Sequence, residues 1–576
     1  MDSQPISHTA APNSPPRSAS SQPVSRRQIL KLITATGVGS VAFQRALTAQ
    51  VVERGTVTGE MIQQAEWIAG LHLSEEERAS TATAVQSAIR RFEEMRQVEI
   101  GYDVPPALIF QPKPLVQELS QTVRRNARPI EWTPPQVPTN EDDLAFLPVS
   151  ELAALLRSRQ VSSVELTRMY LDRLDRFDKF LHCVVSMTDD LALRQARHAD
   201  REMAAGRYRG PLHGIPWGAK DLISYPGYKT TWGATPFKDQ RLETKATVAS
   251  RLDDAGAVLL AKLSLGALAW GDKWFGGMTR NPWNVKQGSS GSSAGSASAT
   301  AAGLVGFALG SETLGSIVSP CRRCGTSGLR PTYGRVSRYG CMTLAWSMDK
   351  LGPICRSMED CAIVFGAIHG FDGLDAAAVD RPFQWPCKRD LRSLRVGYME
   401  QGPPLEKRSE LRVLRDLGVK LVPIKLPATP AAWPLTMILG VEAATVFDEL
   451  TRKGVTKGLN SWPRTFRKGQ FIPAVEYLRA NRIRTMLMQE MKKLMSQVDL
   501  YVGGNDLAIT NLTGHPTAVL PNGFNKRKGI ETPYSITFTG RLFGESELVA
   551  VAHAYQQATG FHLRRPPMEK LLEKNE

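Results

Sequence analysis

Residues 288–303 read GSSGSSAGSASATAAG: six Ser, four Gly and five Ala in sixteen positions. That composition taken alone describes a flexible linker. The chain that follows argues otherwise. A linker should end in a fresh domain start, whereas this stretch runs straight into the apolar residues 304–309. A second Gly/Ser turn comes next, Gly310-Ser311-Glu312-Thr313-Leu314-Gly315-Ser316-Ile317. Small residues followed by an apolar run fit a buried loop and helix, where backbone must approach its surroundings closely.

Outward from this stretch, helices alternate with short apolar strands. Ser162 to Glu165 has the form of a capping box, and Tyr170, Leu171, Leu174 and Phe177 give the ensuing helix one apolar face. Residues 252–255 read as a helix end, Gly256 as its stop, and residues 257–261 as a short buried strand. The alternation predicts an α/β layered domain. Residues 291–295 also satisfy G-x-S-x-G, the nucleophile elbow, but that motif needs a strand directly before it. Residues 281–287 do not read as one, so the elbow is set aside.

The N-terminus has a different character. Residues 1–24 are rich in Ser, Pro and Ala, without apolar periodicity, and read as disordered. Then come Ser25-Arg26-Arg27-Gln28-Ile29-Leu30-Lys31, a mild apolar run to Phe43 and a small-residue end near Ala49. This pattern resembles a twin-arginine export signal, which implies passage through the twin-arginine translocation machinery and a periplasmic or otherwise exported protein. An uncleaved signal would retain it at the membrane. Ser74-Glu75-Glu76-Glu77 opens a helical run to Arg96, and residues 103–138 hold eight prolines, the mark of an extended connector. The expected organisation is a leader and signal over 1–50, a helical and Pro-rich extension over 51–140, a main domain over 141–566 and a charged tail over 567–576.

Composition bounds the rest. With 576 residues, 42% hydrophobic and 22% charged, the chain can build a large core, which excludes a polytopic membrane protein, a fibre and a wholly disordered chain. Seven cysteines exclude a disulfide-stapled scaffold. The net charge of +16 fits nucleic acid, anionic lipid or nothing specific, and residues 1–50 account for +4 of it. The remainder gives no support to RNA binding.

Three stretches carry a family resemblance when set side by side. The first is His213-Gly214-Ile215-Pro216-Trp217-Gly218-Ala219-Lys220-Asp221, the second Gly291-Ser292-Ser293-Ala294-Gly295-Ser296-Ala297, and the third Gly325-Thr326-Ser327-Gly328-Leu329-Arg330-Pro331-Thr332. Together with residues 279–283, 511–516 and 539–544 they resemble the amidase signature family over about 145–566. The resemblance implies one large mixed β-sheet sandwiched between helices, and so a long chain without four domains. It also implies a Ser–cis-Ser–Lys triad of Ser316 as nucleophile, Ser292 as proton relay and Lys220 as general base. The oxyanion donors would be the main-chain N–H groups of Thr313, Leu314, Gly315 and Ser316, with Ser293 and Glu312 supporting. The 24-residue interval from Ser292 to Ser316 is the family's, and Ser289 would break it.

These residue types suit acyl transfer. A serine hydroxyl is a weak nucleophile until a base takes its proton, and lysine is such a base only when neutral. Burial among small uncharged side chains disfavours the ammonium. The resemblance calls for no cofactor or metal; Cys321 and Cys324 read as packing, and His213 and His515 as structural. Three departures stand by the nucleophile. Leu314 replaces a glycine and would be strained at positive φ, Val318 replaces an arginine and removes a buried cation, and Glu312 lengthens an aspartate.

The expected function is an exported amidase that hydrolyses a carboxamide C–N bond of a small molecule through an acyl-enzyme. Two alternatives stand beside it: a glutamyl-tRNA amidotransferase A-type chain, which works with two partner subunits, and a catalytically impaired amidase-like binding protein. A homo-oligomer is compatible with the sequence.

Overall fold

A computed structural model describes residues 56–100, 107–108 and 132–572. The signal-like segment, much of the Pro-rich connector and the last four residues lie outside that range. In chain order the elements used below are α1 (Gly59–Ala65), α2 (Glu75–Arg96), α3 (Ser163–Leu181), β1 (Val184–Met187), β2 (Pro216–Lys220), α4 (Thr247–Asp254) and β3 (Val258–Leu263). Next come α5 (Ala294–Ala301), β4 (Phe307–Glu312), α6 (Val318–Cys324), β5 (Ser327–Arg330), β6 (Lys350–Cys355), α7 (Met358–Ile368), β7 (Arg395–Met399) and β8 (Lys420–Ile424). The last are α8 (Trp462–Gly469), α9 (Ala474–Gln497), β9 (Leu500–Val502), α10 (Leu507–Thr513), β10 (Thr517–Arg527), β11 (Ile530–Gly540) and α11 (Glu545–Thr559).

The eleven strands form one mixed sheet in the order β1-β3-β2-β4-β6-β5-β10-β11-β9-β7-β8. Parallel pairs (β3/β2, β2/β4, β9/β7 and β7/β8) flank an antiparallel centre. Strand alternation puts helices on both faces. Ile354 and Val519 pack with Ala297 and Ala301 of α5 and with Val318 and Cys321 of α6. Their strand neighbours Cys355, Ala518 and Leu520 join the larger core with α7 and α11. This is the layered α/β architecture the sequence implies, and it buries the middle of the sheet on both sides.

Local signals hold where they were read. Ser162 and Ser74 each make a full capping box, with Glu165 and Glu77. Gly256, at φ +78°, ends the turn after α4. The helix α2 docks onto the body: Glu77 pairs with Arg467 at 2.8 Å and Arg96 with Glu476 at 2.6 Å. Phe92 and Met95 enter a core shared with Ile483, Leu487, Met348 and Leu512. Among the described residues no helix is long and apolar enough to cross a membrane.

One expectation fails here. A strand does precede the 291–295 motif: Asn284–Gly288 pairs with Arg280–Asn281 in a separate two-stranded ribbon. Its polar, half-exposed residues gave no strand signal, since a ribbon edge needs no apolar face. It also stands outside the main sheet, unlike the strand of a nucleophile elbow.

Candidate active site

The Ser/Gly/Ala stretch is buried. Residues 294–301 form α5, whose every residue is buried. Ser296 donates its hydroxyl to the Leu309 carbonyl at 2.9 Å and Ser298 to that of Arg280 at 2.8 Å. A side chain at Gly295 would lie 2.4 Å from the Cys183 carbonyl oxygen and 2.5 Å from Ser264 N. Small hydroxylated residues let this helix press onto the sheet while each polar group keeps a partner.

Lys220 closes β2 and is fully buried. Its Nζ lies 2.8 Å from Ser292 Oγ, 3.0 Å from Ser293 Oγ and 2.9 Å from Ser311 Oγ. The Ser311 carbonyl is 3.3 Å away. Burial drives the ammonium pKa down to about 7, against the opposing pull of Asp349 and Glu312. The Gly291–Ser292 peptide is cis. Ser293 N–H donates to the Ser316 carbonyl at 3.1 Å, which ties the two Gly-rich turns together. Ser316 retains 9% exposure, more than Lys220 or Ser292 behind it.

The turn after β4 departs from expectation at Leu314. The left-handed residue is Gly315, at φ +90°, and Leu314 is absent from the positive-φ positions, so its side chain meets no backbone strain. Among the described residues, no group accepts from the main-chain N–H of Leu314, Gly315 or Ser316. Three donors thus remain open on a turn whose last residue is Ser316.

The second departure is also answered. Val318 brings no cation, yet Glu312 is not left alone. Arg330 Nη1 lies 2.7 Å from Glu312 Oε1, with both side chains fully buried. Asn511 donates to the same oxygen at 2.9 Å. The N–H groups of Ile317 and Val318 donate to Oε2 at 2.8 and 2.9 Å. Burial alone would raise this carboxyl; Arg330 and the Val318 N–H bring it instead to about 2. An ionised Glu312 therefore pins the residues that follow Ser316.

Sequence reasoning missed Ser311, Arg330 and Asn511 as site-building residues, although all three sit in stretches it quoted. It also missed Asp349, whose Oδ1 accepts from the Thr313 hydroxyl at 2.6 Å and whose Oδ2 accepts from the N–H groups of Leu344 and Ala345. Periodicity could not find Ser311, Arg330 or Asn511, since the site groups they bond lie 18 to 199 residues away. Cys321 and Cys324 are buried in the α5/α6 core as packing groups. His515 is held by Thr513, and burial with the nearby Arg330 lowers it to about 3.

The sequence matches the Amidase family model over residues 165–503. It is 34% identical to the A chain of glutamyl-tRNA(Gln) amidotransferase from Roseiflexus castenholzii, over 74% of this chain and 98% of that protein. The corresponding amidotransferase chain of Moorella thermoacetica is 33% identical, over 74% and 99%. Among solved structures, native peptide amidase from Stenotrophomonas maltophilia superposes with a TM-score of 0.64 at 30% identity, over 73% of this chain and 98% of that one.

Proposed function

This chain belongs to the amidase family and is a hydrolase of amide C–N bonds, and we propose that it cleaves a carboxamide through an acyl-enzyme on Ser316. The observation that carries the reading is the fully buried Lys220 amine, 2.8 Å from Ser292 Oγ, with a pKa of about 7. Moving a lysine from its ordinary 10.5 to that value costs on the order of 5 kcal/mol. It leaves a large neutral fraction at neutral pH, which is what a general base requires.

The steps follow from the donors and acceptors. Neutral Lys220 takes the proton of the Ser292 hydroxyl, which takes that of Ser316 as its oxygen attacks the amide carbon. The new C–O bond places negative charge on the former carbonyl oxygen. In this reading the open N–H groups of Leu314, Gly315 and Ser316 meet it, and one such donor contributes roughly 3 kcal/mol. Lys220, now an ammonium, returns its proton through Ser292 to the leaving nitrogen as the C–N bond breaks. Water then attacks the acyl-enzyme by the same relay and frees the acid.

A fluorophosphonate probe tests this reading. Wild type should label, and Ser316→Ala and Lys220→Ala should not; an unlabelled wild type would favour the binding-protein alternative. The near full-length cover of the amidotransferase relatives supports a second reading, glutamine amidohydrolysis as part of a glutamyl-tRNA amidotransferase. Ammonia release from glutamine that depends on added partner proteins would establish it. The twin-arginine-like stretch at Arg26 and Arg27 favours an exported enzyme instead. Replacing both by lysine should abolish export, and unchanged delivery would remove that part of the proposal.

A further inference from the structure

The β10/β11 hairpin carries exposed cations that play no part in the chemistry above. Its connection is Lys528-Gly529, at φ +50° and +79°, the paired left-handed residues of a rigid two-residue turn. Register sets Gly523 opposite Tyr534, Phe524 opposite Pro533 and Arg527 opposite Ile530. Alternation then sorts the side chains. Phe524 and Pro533 face inward, the Phe524 ring 4.9 Å from that of Trp283 and Pro533 buried beside Gly325. Arg527, Ile530 and Tyr534 share the outer face, where Ile530 is 38% and Tyr534 44% exposed.

Other elements add cations on the opposite, Phe524 side of the hairpin, which Lys526 shares by the same alternation. The helix α6 packs against both hairpin strands and contributes exposed Arg322 and Arg323. The 284–288 ribbon strand packs on β11 and contributes exposed Lys286. With Lys526, Arg527 and Lys528, these six cations have no ion-pair partner among the described residues. The nearby carboxylate, Glu531, is already held by Arg564 at 2.6 Å.

We propose that the tip of this hairpin docks end-on on an anionic lipid surface, so that cations from both of its faces meet the headgroups. Unpaired lysines and arginines are attracted to anionic headgroups within a Debye length of the bilayer. Exposed Ile530, next to the turn, and Tyr534, further along the same face as Arg527, suit the headgroup layer, where an apolar body and a polar tip are both accommodated. A convex two-residue tip inserts; it offers no groove to grip a nucleic-acid strand. Thr517, at the other end of β10, accepts from Arg330, which holds Glu312. Ten strand residues separate it from Arg527, roughly 33 Å, so the site end of the hairpin points away from the bilayer.

The test uses the full chain and vesicles of phosphatidylcholine, with and without about 30% phosphatidylglycerol. Acetylation of Lys526 and Lys528 by a membrane-impermeant N-hydroxysuccinimide ester is followed site by site by mass spectrometry, with exposed Lys457 as reference. Anionic vesicles should slow acetylation of the two hairpin lysines at least about fivefold relative to Lys457, neutral vesicles should not, and roughly 0.5 M salt should cancel the effect. In co-sedimentation, combined Lys526→Glu, Arg527→Glu and Lys528→Glu should weaken binding at least about tenfold. Combined Ile530→Ser and Tyr534→Ser should weaken it several-fold with every charge intact. Equal protection by both kinds of vesicle overturns the proposal. So does stronger protection by single-stranded RNA than by anionic vesicles, which would make the surface a nucleic-acid site.

Discussion

Two lysines lie fully buried on neighbouring strands, and their partners differ. Lys220 on β2 meets three serine hydroxyls and a carbonyl, and burial carries it down to about 7. Lys262 on β3 stands 2.8 Å from the buried carboxylate of Asp221 and also donates to Thr230 and to the Lys229 carbonyl. One has no counterion and the other is ion-paired. The difference lies in the pleat. Register sets Ala219 opposite Lys262 and Lys220 opposite Leu263, so the two lysines face opposite sides of the sheet. Asp221, next in sequence to Lys220, is turned towards Lys262. A Lys-Asp dipeptide would supply its own counterion in a flexible loop; at a strand end it cannot. Lys220 has no counterion beside it because its neighbouring carboxylate is directed towards Lys262.

The most severe way to break this contrast is Lys220→Met, which should lower kcat/KM on the order of 10⁴-fold while the protein stays folded at pH 7. Steady-state ammonia release with melting curves checks both halves. The matching Lys262→Met should act in reverse. It leaves Asp221 buried without a cation, a loss of about 3–5 kcal/mol, so chemical denaturation should show a large destabilisation. Equal stability loss in the two variants would contradict the contrast between a lysine without a counterion and an ion-paired one.

The titration of Lys220 gives the next effect. Its folded pKa is depressed from 10.5 to about 7, so between those values the unfolded chain binds more protons than the folded one. Stability should therefore rise with pH across that window by up to about 5 kcal/mol from this group, and the penalty is fully present below pH 7. Relative to wild type, Lys220→Met should lose that rise, and kcat/KM in the wild type should fall as pH drops through about 7. A flat wild-type profile would place the working base elsewhere.

Smaller effects sharpen the oxyanion turn. At Gly315 a Cβ would stand 3.0 Å from Ser319 Oγ and 3.1 Å from Leu507 Cδ2, on a backbone at φ +90°. Gly315→Ala should shift the open N–H groups and reduce kcat roughly 10²-fold with KM little changed. Leu314→Gly should change kcat less than about threefold, because position 314 needs no left-handed backbone. A large gain in Leu314→Gly would restore the idea that leucine impairs the turn.

Much of this was legible beforehand. The family resemblance pointed to Lys220, Ser292 and Ser316, and the capping box at Ser162 and the acidic start at Ser74 located helix starts, because helix-start signals are local. The burial of residues 288–303 was also readable, from the apolar run that follows. The ribbon strand before Ser289 was not, since Val285 is its one apolar residue and gives no alternation. Nor was the cation on Glu312: a missing arginine at 318 said nothing about Arg330, which reaches the carboxylate from a different strand.

The sequence by itself therefore determined which side chains were available for acyl transfer and the layered α/β class that would hold them. Only the tertiary structure decided their states. Ser311 reaches Lys220 because β4 lies beside β2. Asp221 turns away because side chains alternate along a strand, and positive φ falls at Gly315 because the turn is fitted between β4 and α6. A pKa near 7 depends on what surrounds an amine in three dimensions, and residues 91 positions apart in the chain supply that surrounding.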